Sequence, residues 1–181
     1  MKLGTAALIS LPLLAACASS PVSSSFDQSS LPPAVQTPAG HRPALELVGS
    51  GDAVYECQPV SQGSNRYAWT FLRPEAKLLD RGGKQVGRYF GPPATWDYWA
   101  GSRLTGTQLN TAPAGEGNLP LQLVKADAAI GNHDAFKGTT YIQRVNIKGG
   151  GTPTKACGWI NMREAQTVKY QADYIFYRAA P

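Results

Sequence analysis

Histidine and cysteine are scarce in this chain of 181 residues, which contains two histidines and three cysteines. A catalytic serine needs a histidine base and an orienting acid, and only His41 and His133 are available. No serine lies in a Gly-x-Ser-x-Gly turn. His133 stands between Asn132 and Asp134 in a polar segment, where a histidine is more often solvated than catalytic. The sequence therefore identifies no catalytic residue.

Motifs for metal ions and nucleotide cofactors are also missing. The histidines, cysteines and carboxylates do not recur at the short spacings of metal ligands. No Gly-x-Gly-x-x-Gly segment joins a strand to a helix, as the site of a nicotinamide cofactor would require. We therefore expect neither a metal ion nor a cofactor.

Long apolar runs are absent as well, since no stretch reaches the roughly 20 residues that cross a bilayer as a helix. The most apolar stretch, residues 3–14, follows Lys2 and is followed by small residues, which is typical of a secretory signal. Leu14-Ala15-Ala16-Cys17 has the form of a bacterial lipobox. We expect residues 1–16 to be a lipoprotein signal peptide and Cys17 to carry the lipid. The alternative is an ordinary signal peptide that leaves Cys17 free.

Charged residues are few and scattered. The 17 Lys and Arg, less Lys2 of the signal, leave 16 against 12 Asp and Glu, a formal charge of +4. No run of five like charges occurs, so we expect no nucleic-acid partner. The lipid at Cys17 would hold the chain on a membrane. By analogy with lipoprotein sorting, Ala18 instead of aspartate indicates the outer membrane, facing the periplasm, in a host with two membranes.

Two cysteines remain once Cys17 is assigned to the lipid, Cys57 and Cys157. An even pair in an oxidising envelope indicates a disulfide, and two buried free thiols are the alternative. The bond would link the first and last parts of the domain.

The chain changes character near residue 45. Residues 17–44 are rich in serine and proline, so we expect a lipidated cysteine followed by a disordered tether. Residues 45–181 contain short β-like runs separated by Gly, Pro and Asn, with a hairpin turn at residues 80–84. In the last run the residues that share one face are Tyr170, Ala172, Tyr174 and Phe176. These patterns predict an all-β domain, an antiparallel sandwich or partly open barrel of about eight strands with little helix.

Several short motifs together resemble a known family. They are residues 54–57, 67–71, 74–80 and 83–87, then Gly91-Pro92 with Trp96, residues 140–146, Cys157 and residues 170–174. In order and spacing they resemble an uncharacterised family of secreted bacterial and fungal proteins, the domain of unknown function family numbered 3455. The resemblance covers residues 52–177 and implies a β-rich secreted domain with Cys57 paired to Cys157. It implies no activity, and the chain departs from the family pattern at Pro92-Pro93-Ala94 and Ala100.

Aromatic residues crowd the segment between residues 89 and 99. The candidate ligand-binding residues there are Tyr89, Trp96, Tyr98 and Trp99, because exposed rings stack on sugars and other flat ligands. The alternative is that Trp96 fills the core while Tyr98 and Trp99 cover its rim. On a later strand, Gln143 and Arg144 must point to opposite faces, so we expect that one of them could be a buried hydrogen-bonding residue.

A hydrolytic site is harder to recognise, because carboxylate pairs for glycoside hydrolysis converge from distant strands without a local motif. The candidate carboxylates are Glu56, Glu75, Asp80, Asp97 and Asp173. Each of them also suits the polar face of a strand or a turn. We therefore expect a membrane-anchored envelope lipoprotein that acts as a non-enzymatic binding or structural module, with envelope glycan or lipid as its partner. An envelope hydrolase with a carboxylate pair is the alternative.

Overall fold

The computed structural model describes residues 26–181, so the predicted signal peptide, Cys17 and the start of the predicted tether lie outside the described residues. Nine strands follow one another there: β1 (His41–Pro59), β2 (Tyr67–Leu79), β3 (Gln85–Phe90), β4 (Thr95–Tyr98), β5 (Ser102–Ala112), β6 (Leu121–Ala126), β7 (Ile130–Gly131), β8 (Thr139–Gly149) and β9 (Ala165–Ala179). Two short 3-10 turns, Pro33–Val35 and Trp159–Asn161, complete the elements. No helix among these residues is long and apolar enough to cross a membrane.

The strands form one antiparallel sheet in the order β4-β3-β2-β1-β9-β8-β6-β5-β7. Because β4 also pairs with β5, eight of the strands close into a ring, and β7 lies outside it on β5. The hairpin predicted at residues 80–84 joins β2 to β3, where the Asp80 carboxylate accepts hydrogen bonds from the backbone N–H groups of Gly82 and Lys84. The prediction of an all-β antiparallel fold with little helix is confirmed.

Aromatic side chains fill the interior of the ring. The inward face predicted for β9 is buried, and its residues are Tyr170, Ala172, Tyr174 and Phe176. The ring centroids of Phe176 and Phe136 lie 4.9 Å apart. Gly49 on β1 is needed beside Tyr174, since a Cβ atom there would lie 2.4 Å from the tyrosine ring. The core thus depends on a glycine as much as on the large side chains around it.

The ordered domain begins well before residue 45. Residues 26–40 cross the outer face of the sheet, and β1 starts at His41, so the tether predicted over residues 17–44 is wrong for residues 26–44. Val35 is 1% exposed and packs in an apolar cluster with Leu123 of β6 and Leu31. A few well-placed apolar side chains are enough to order a Ser/Pro-rich segment when a sheet offers them an apolar face.

A buried glutamine fixes this N-terminal segment to the sheet. Gln143 on β8 is fully buried, and its side-chain amide donates to the carbonyl oxygen of Val35 at 2.7 Å and to Gln28 Oε1 at 2.9 Å. The hydroxyl of Tyr177 donates to Gln143 Oε1 at 2.7 Å. A buried amide needs such partners, because leaving it without them costs free energy. We expected one of Gln143 and Arg144 to be buried, and in the structure both are, on opposite faces of β8.

The predicted disulfide between Cys57 and Cys157 is present, with the two Cα atoms 5.6 Å apart. It joins the end of β1 to the loop before the turn Trp159–Asn161. The backbone of Arg163 donates to the Cys57 carbonyl oxygen at 2.9 Å beside it. On this loop the large side chains of Trp159 and Ile160 are exposed.

Candidate functional site

The four aromatic residues predicted to bind a ligand do not form one exposed surface. Tyr89 and Trp96 face each other across β3 and β4, with stacked rings 4.7 Å apart, and they are 3% and 0% exposed. The prediction of Trp96 as a ligand-stacking residue is therefore wrong, because both of its ring faces are covered by the core. Tyr98 is half-buried and stacks on His133 at 5.4 Å. Trp99 is 60% exposed and stays a prediction.

The interior of the ring opens into a cavity of about 550 Å³, here called the mouth pocket. Its walls include Tyr55, Trp69, Phe71 and Tyr89, while Gln122 and Arg144 enter it from β6 and β8. Loop residues on both sides, among them Pro92 and Thr152, form its rim. Of the four predicted aromatic residues, Tyr89 alone lines this pocket.

The aromatic wall of the mouth pocket is held in place by backbone contacts. The Tyr55 hydroxyl donates to the Gly150 carbonyl oxygen at 2.7 Å, and the indole N–H of Trp69 donates to the Lys155 carbonyl oxygen at 2.6 Å. Phe71 lies edge-on to Tyr55 with ring centroids 5.5 Å apart and is 40% exposed. The wall is thus preformed, with one large apolar ring accessible from solvent.

Arg144 is the one cation among the described residues that line this pocket, and it is 5% exposed. Its Nε and Nη2 donate to the Pro120 carbonyl oxygen at 3.2 and 2.9 Å. Among residues 26–181, no aspartate or glutamate forms an ion pair with it, and no carboxylate lines the pocket. A buried charge is normally paired, because its desolvation is costly.

The neighbouring tyrosines do not supply the missing negative charge. Burial raises the pKa of the Tyr89 hydroxyl, and the positive charge of Arg144 only partly opposes that rise. Burial likewise raises the pKa of Tyr174 well above its ordinary value, although Arg144 lies close enough to lower it. These hydroxyls therefore remain protonated and neutral near pH 7. The Tyr174 hydroxyl hydrogen-bonds the guanidinium without neutralising it.

Gln122 adds a second polar group to the pocket. Its side-chain nitrogen donates to Gln108 Oε1 at 2.6 Å. Its own Oε1 is buried and has no hydrogen-bond partner within the described residues. A buried acceptor without a partner is uncommon in folded proteins. The lining thus includes a cation without an acidic partner and a side chain whose buried acceptor has no partner among the described residues.

The candidate carboxylates are dispersed and engaged elsewhere. Their partners within residues 26–181 are Gln58 for Glu56, Arg73 for Glu75, the turn backbone for Asp80, Arg88 and Arg103 for Asp97, and Arg81 and Asn146 for Asp173. Two of these carboxylates have an acidic neighbour among the described residues: Glu75 lies opposite Asp52 across β1 and β2 in an open outer groove, and Asp173 shares Arg81 with Glu46. Asp52 pairs with Lys169 at 2.9 Å. In the described part of the chain, no group of three or more His, Cys, Asp or Glu is placed to hold a metal ion.

Comparison with protein families matches residues 38–178 to the family described as "Protein of unknown function (DUF3455)". The chain belongs to the DUF3455 family. The match starts just before β1 and ends within β9, so the DUF3455 domain includes the whole ring and the mouth pocket. No significant match was found among curated proteins or among solved structures.

Among the residues that line the mouth pocket of this DUF3455 domain, Tyr89 is the one that the sequence predicts as a ligand-binding residue. The sequence marks Arg144 only as one of two neighbours on a strand and Phe71 only as part of a family motif, and it gives Gln122 no role. The available signal was an arginine inside a strand pattern between Ile142 and Val145, which are buried on opposite faces. Because the burial of a charge is costly, an arginine at an inward position of such a strand is expected to have an acidic partner in the protein or to bind one in a ligand.

Proposed function

We propose that this protein is a non-enzymatic binding module of the cell envelope and that the mouth pocket is its ligand site. The observation that carries the proposal is Arg144, which is buried in an aromatic-walled pocket and has no acidic partner among the described residues. A volume of about 550 Å³ lies within the roughly 300–1,000 Å³ typical of small-molecule sites. Its lining exposes polar and apolar surface in about equal parts, and small-molecule sites likewise combine aromatic walls with a few placed polar groups.

A binding role agrees better with this pocket than hydrolysis does. A hydrolase needs titratable groups that converge on the substrate, whereas the described lining of the mouth pocket contains no carboxylate. The carboxylates in the open outer groove, Asp52 and Glu75, are each paired with a cation. The alternative of an envelope hydrolase with a carboxylate pair therefore has less support.

The envelope location is supported by the sequence alone. The lipobox ending at Cys17, the preceding apolar stretch and the spacer after it support a lipid-anchored domain on a membrane. Ala18 supports the outer membrane, facing the periplasm, if the host has two. Intact mass of the membrane-extracted protein tests this: we expect a chain that starts at Cys17 and carries a diacylglyceryl modification. An unmodified Cys17 would refute the anchor.

Thermal unfolding against a panel of glycans, lipids and envelope polymers tests the binding role. The protein is the mature chain with Cys17→Ser, which leaves every described residue unchanged. A ligand that binds only the folded state raises the unfolding midpoint by mass action. We expect a midpoint shift that Phe71→Ala reduces and Trp99→Ala leaves intact, since Trp99 lies outside the mouth pocket. A shift lost only in Trp99→Ala would move the site to the predicted aromatic loop.

A further inference from the structure

We propose that the ligand of the mouth pocket carries an anionic group, such as a carboxylate or phosphate, that binds Arg144. This inference rests on the proposed binding function and names the chemical class of the ligand. The remainder of the ligand is apolar or aromatic, because Trp69, Phe71 and Tyr55 form the wall next to the guanidinium.

The first argument is the charge balance of the pocket. The Pro120 carbonyl oxygen, which accepts from Nε and Nη2 of Arg144, carries only a partial negative charge. The tyrosine hydroxyls around it stay neutral, as shown above. An ionised acceptor would form shorter and stronger hydrogen bonds with the guanidinium than these neutral groups do. An anionic ligand is therefore the missing partner of a cation that the fold has already desolvated.

The second argument is the geometry of the donor. A guanidinium has five N–H donors in a planar fork that fits carboxylate and phosphate oxygens. The Pro120 carbonyl oxygen occupies two of these donors, and the Tyr174 hydroxyl accepts a hydrogen bond from the group as well. The backbone of β8 and the contact with Pro120 hold the group in position before a ligand arrives. Such preorganisation lowers the free-energy cost of binding.

The third argument comes from Gln122, whose buried Oε1 has no partner among the described residues. It would accept a hydrogen bond from a hydroxyl or amide group of the ligand. A ligand with an anionic end, a nearby donor and an apolar body matches all three features of the pocket. Lipid-derived and aromatic acids share this chemistry.

A matched pair of fluorescent dyes tests the proposal. Anilinonaphthalene sulfonate and phenylnaphthylamine have the same aromatic skeleton, and only the first carries an anionic group. We expect the mature Cys17→Ser protein to bind the sulfonate at least about tenfold more tightly, the size expected for one charge-assisted hydrogen bond. Arg144→Met should abolish this preference while the neutral dye still binds. Arg144→Lys should keep part of the preference, because it keeps the charge.

Control variants locate the binding. Phe71→Ala should weaken both dyes, and Trp159→Ala, which changes an exposed aromatic residue outside the pocket, should weaken neither. Equal affinity for the two dyes in the wild type, with Phe71→Ala still effective, would overturn the anion proposal and leave the binding function standing. If Phe71→Ala affects neither dye, the mouth pocket is not the site and both proposals fail.

A competition experiment needs no variant of Arg144, which also contributes to folding through Pro120. The neutral dye is displaced in the wild type by octanoate or by its uncharged amide, octanamide. We expect octanoate to displace it at a concentration at least about tenfold lower than octanamide. Acetate and inorganic phosphate are tested as competitors that are small anions without an apolar body. If only these two displace the dye, the site binds a free anion instead of an amphiphile. Equal potency of octanoate and octanamide would refute the role of Arg144.

Discussion

At the scale of single residues, the interior of the ring is organised around Trp96. Its indole ring is 0% exposed and contacts Tyr89, Tyr174 and Phe176. Its N–H has no hydrogen-bond partner within the described residues. Trp96 therefore stabilises the fold through packing, without a compensating polar contact.

We expect Trp96→Ala to lower the free energy of unfolding by about 3–5 kcal/mol, because it removes a large buried side chain and leaves a cavity. Trp96→Phe should cost much less, since it keeps an aromatic ring and removes an unpartnered N–H. Urea unfolding of the two variants measures the difference. Trp159→Ala is the matched control, because Trp159 is 76% exposed and should change stability by about 0.5 kcal/mol or less. Equal losses in Trp96→Ala and Trp159→Ala would contradict the assignment of Trp96 to the core.

Asp97 lies between Arg88 and Arg103, both 3.1 Å away. Burial raises the pKa of this carboxyl group, but the hydrogen bonds from the two arginines lower it more, so the net shift is downward from 3.8. A lowered folded-state pKa adds stability above the ordinary pKa, and this stability is lost as pH falls through the folded value. We expect Asp97→Asn to be less stable than the wild type at pH 7, with the difference shrinking below about pH 4.

The pH dependence of urea unfolding for the wild type and Asp97→Asn checks this expectation. Glu75→Gln serves as the control, because the ion pair of Glu75 with Arg73 is exposed and contributes little. A stability difference for Asp97→Asn that stays constant down to about pH 2 would contradict the lowered pKa.

At the scale of elements, the segment of residues 26–40 packs on the domain although its only regular element is one short turn. It combines the turn Pro33–Val35 with apolar contacts to the outer face of β6, β8 and β9. Sequence patterns could not predict this, because Phe26, Leu31 and Val35 follow neither a strand nor a helix period and stand among prolines. The alternation in β9 was predictable, since it repeats over many residues.

We expect Val35→Ala to lower the free energy of unfolding by about 2 kcal/mol, the value for two buried methyl groups. The matched control is Val60→Ala, because Val60 is 51% exposed in the loop after β1. Urea unfolding of both variants provides the measurement. If Val35→Ala is as stable as Val60→Ala, the segment before β1 does not stabilise the domain.

The disulfide is the second stabilising connection at this scale, because it ties β1 to the loop before β9. Reduction should lower the free energy of unfolding by about 2–5 kcal/mol. Urea unfolding with and without reductant measures the change, and the double variant Cys57→Ala/Cys157→Ala should match the reduced protein. Alkylation of both cysteines without reductant would refute the bond.

At the scale of the whole molecule, the closed ring turns the inward faces of its strands into a single interior with one aromatic-walled pocket. The sequence predicted most of the strands, the hairpin and the cysteine pair, which are local patterns or simple counts, but not β4, β7 or the start of β1 at His41. It could not predict the mouth pocket, because Tyr55, Gln122 and Arg144 lie on three strands that are far apart in the sequence and are brought together only by the strand order of the sheet. The aromatic cluster between residues 89 and 99 does not by itself show which of its rings face the interior.

The most direct test of the mouth pocket as an anion-binding ligand site is nuclear magnetic resonance of the mature Cys17→Ser protein titrated with octanoate. We expect the side-chain Nε–H resonance of Arg144 and the backbone resonances of Phe71 and Gln122 to shift in a saturable way, while those of Trp99 and Trp159 stay unchanged. Octanamide should produce smaller shifts at the same concentration. Resonances of Arg144, Phe71 and Gln122 that do not move up to the solubility limit of octanoate would contradict the central claim.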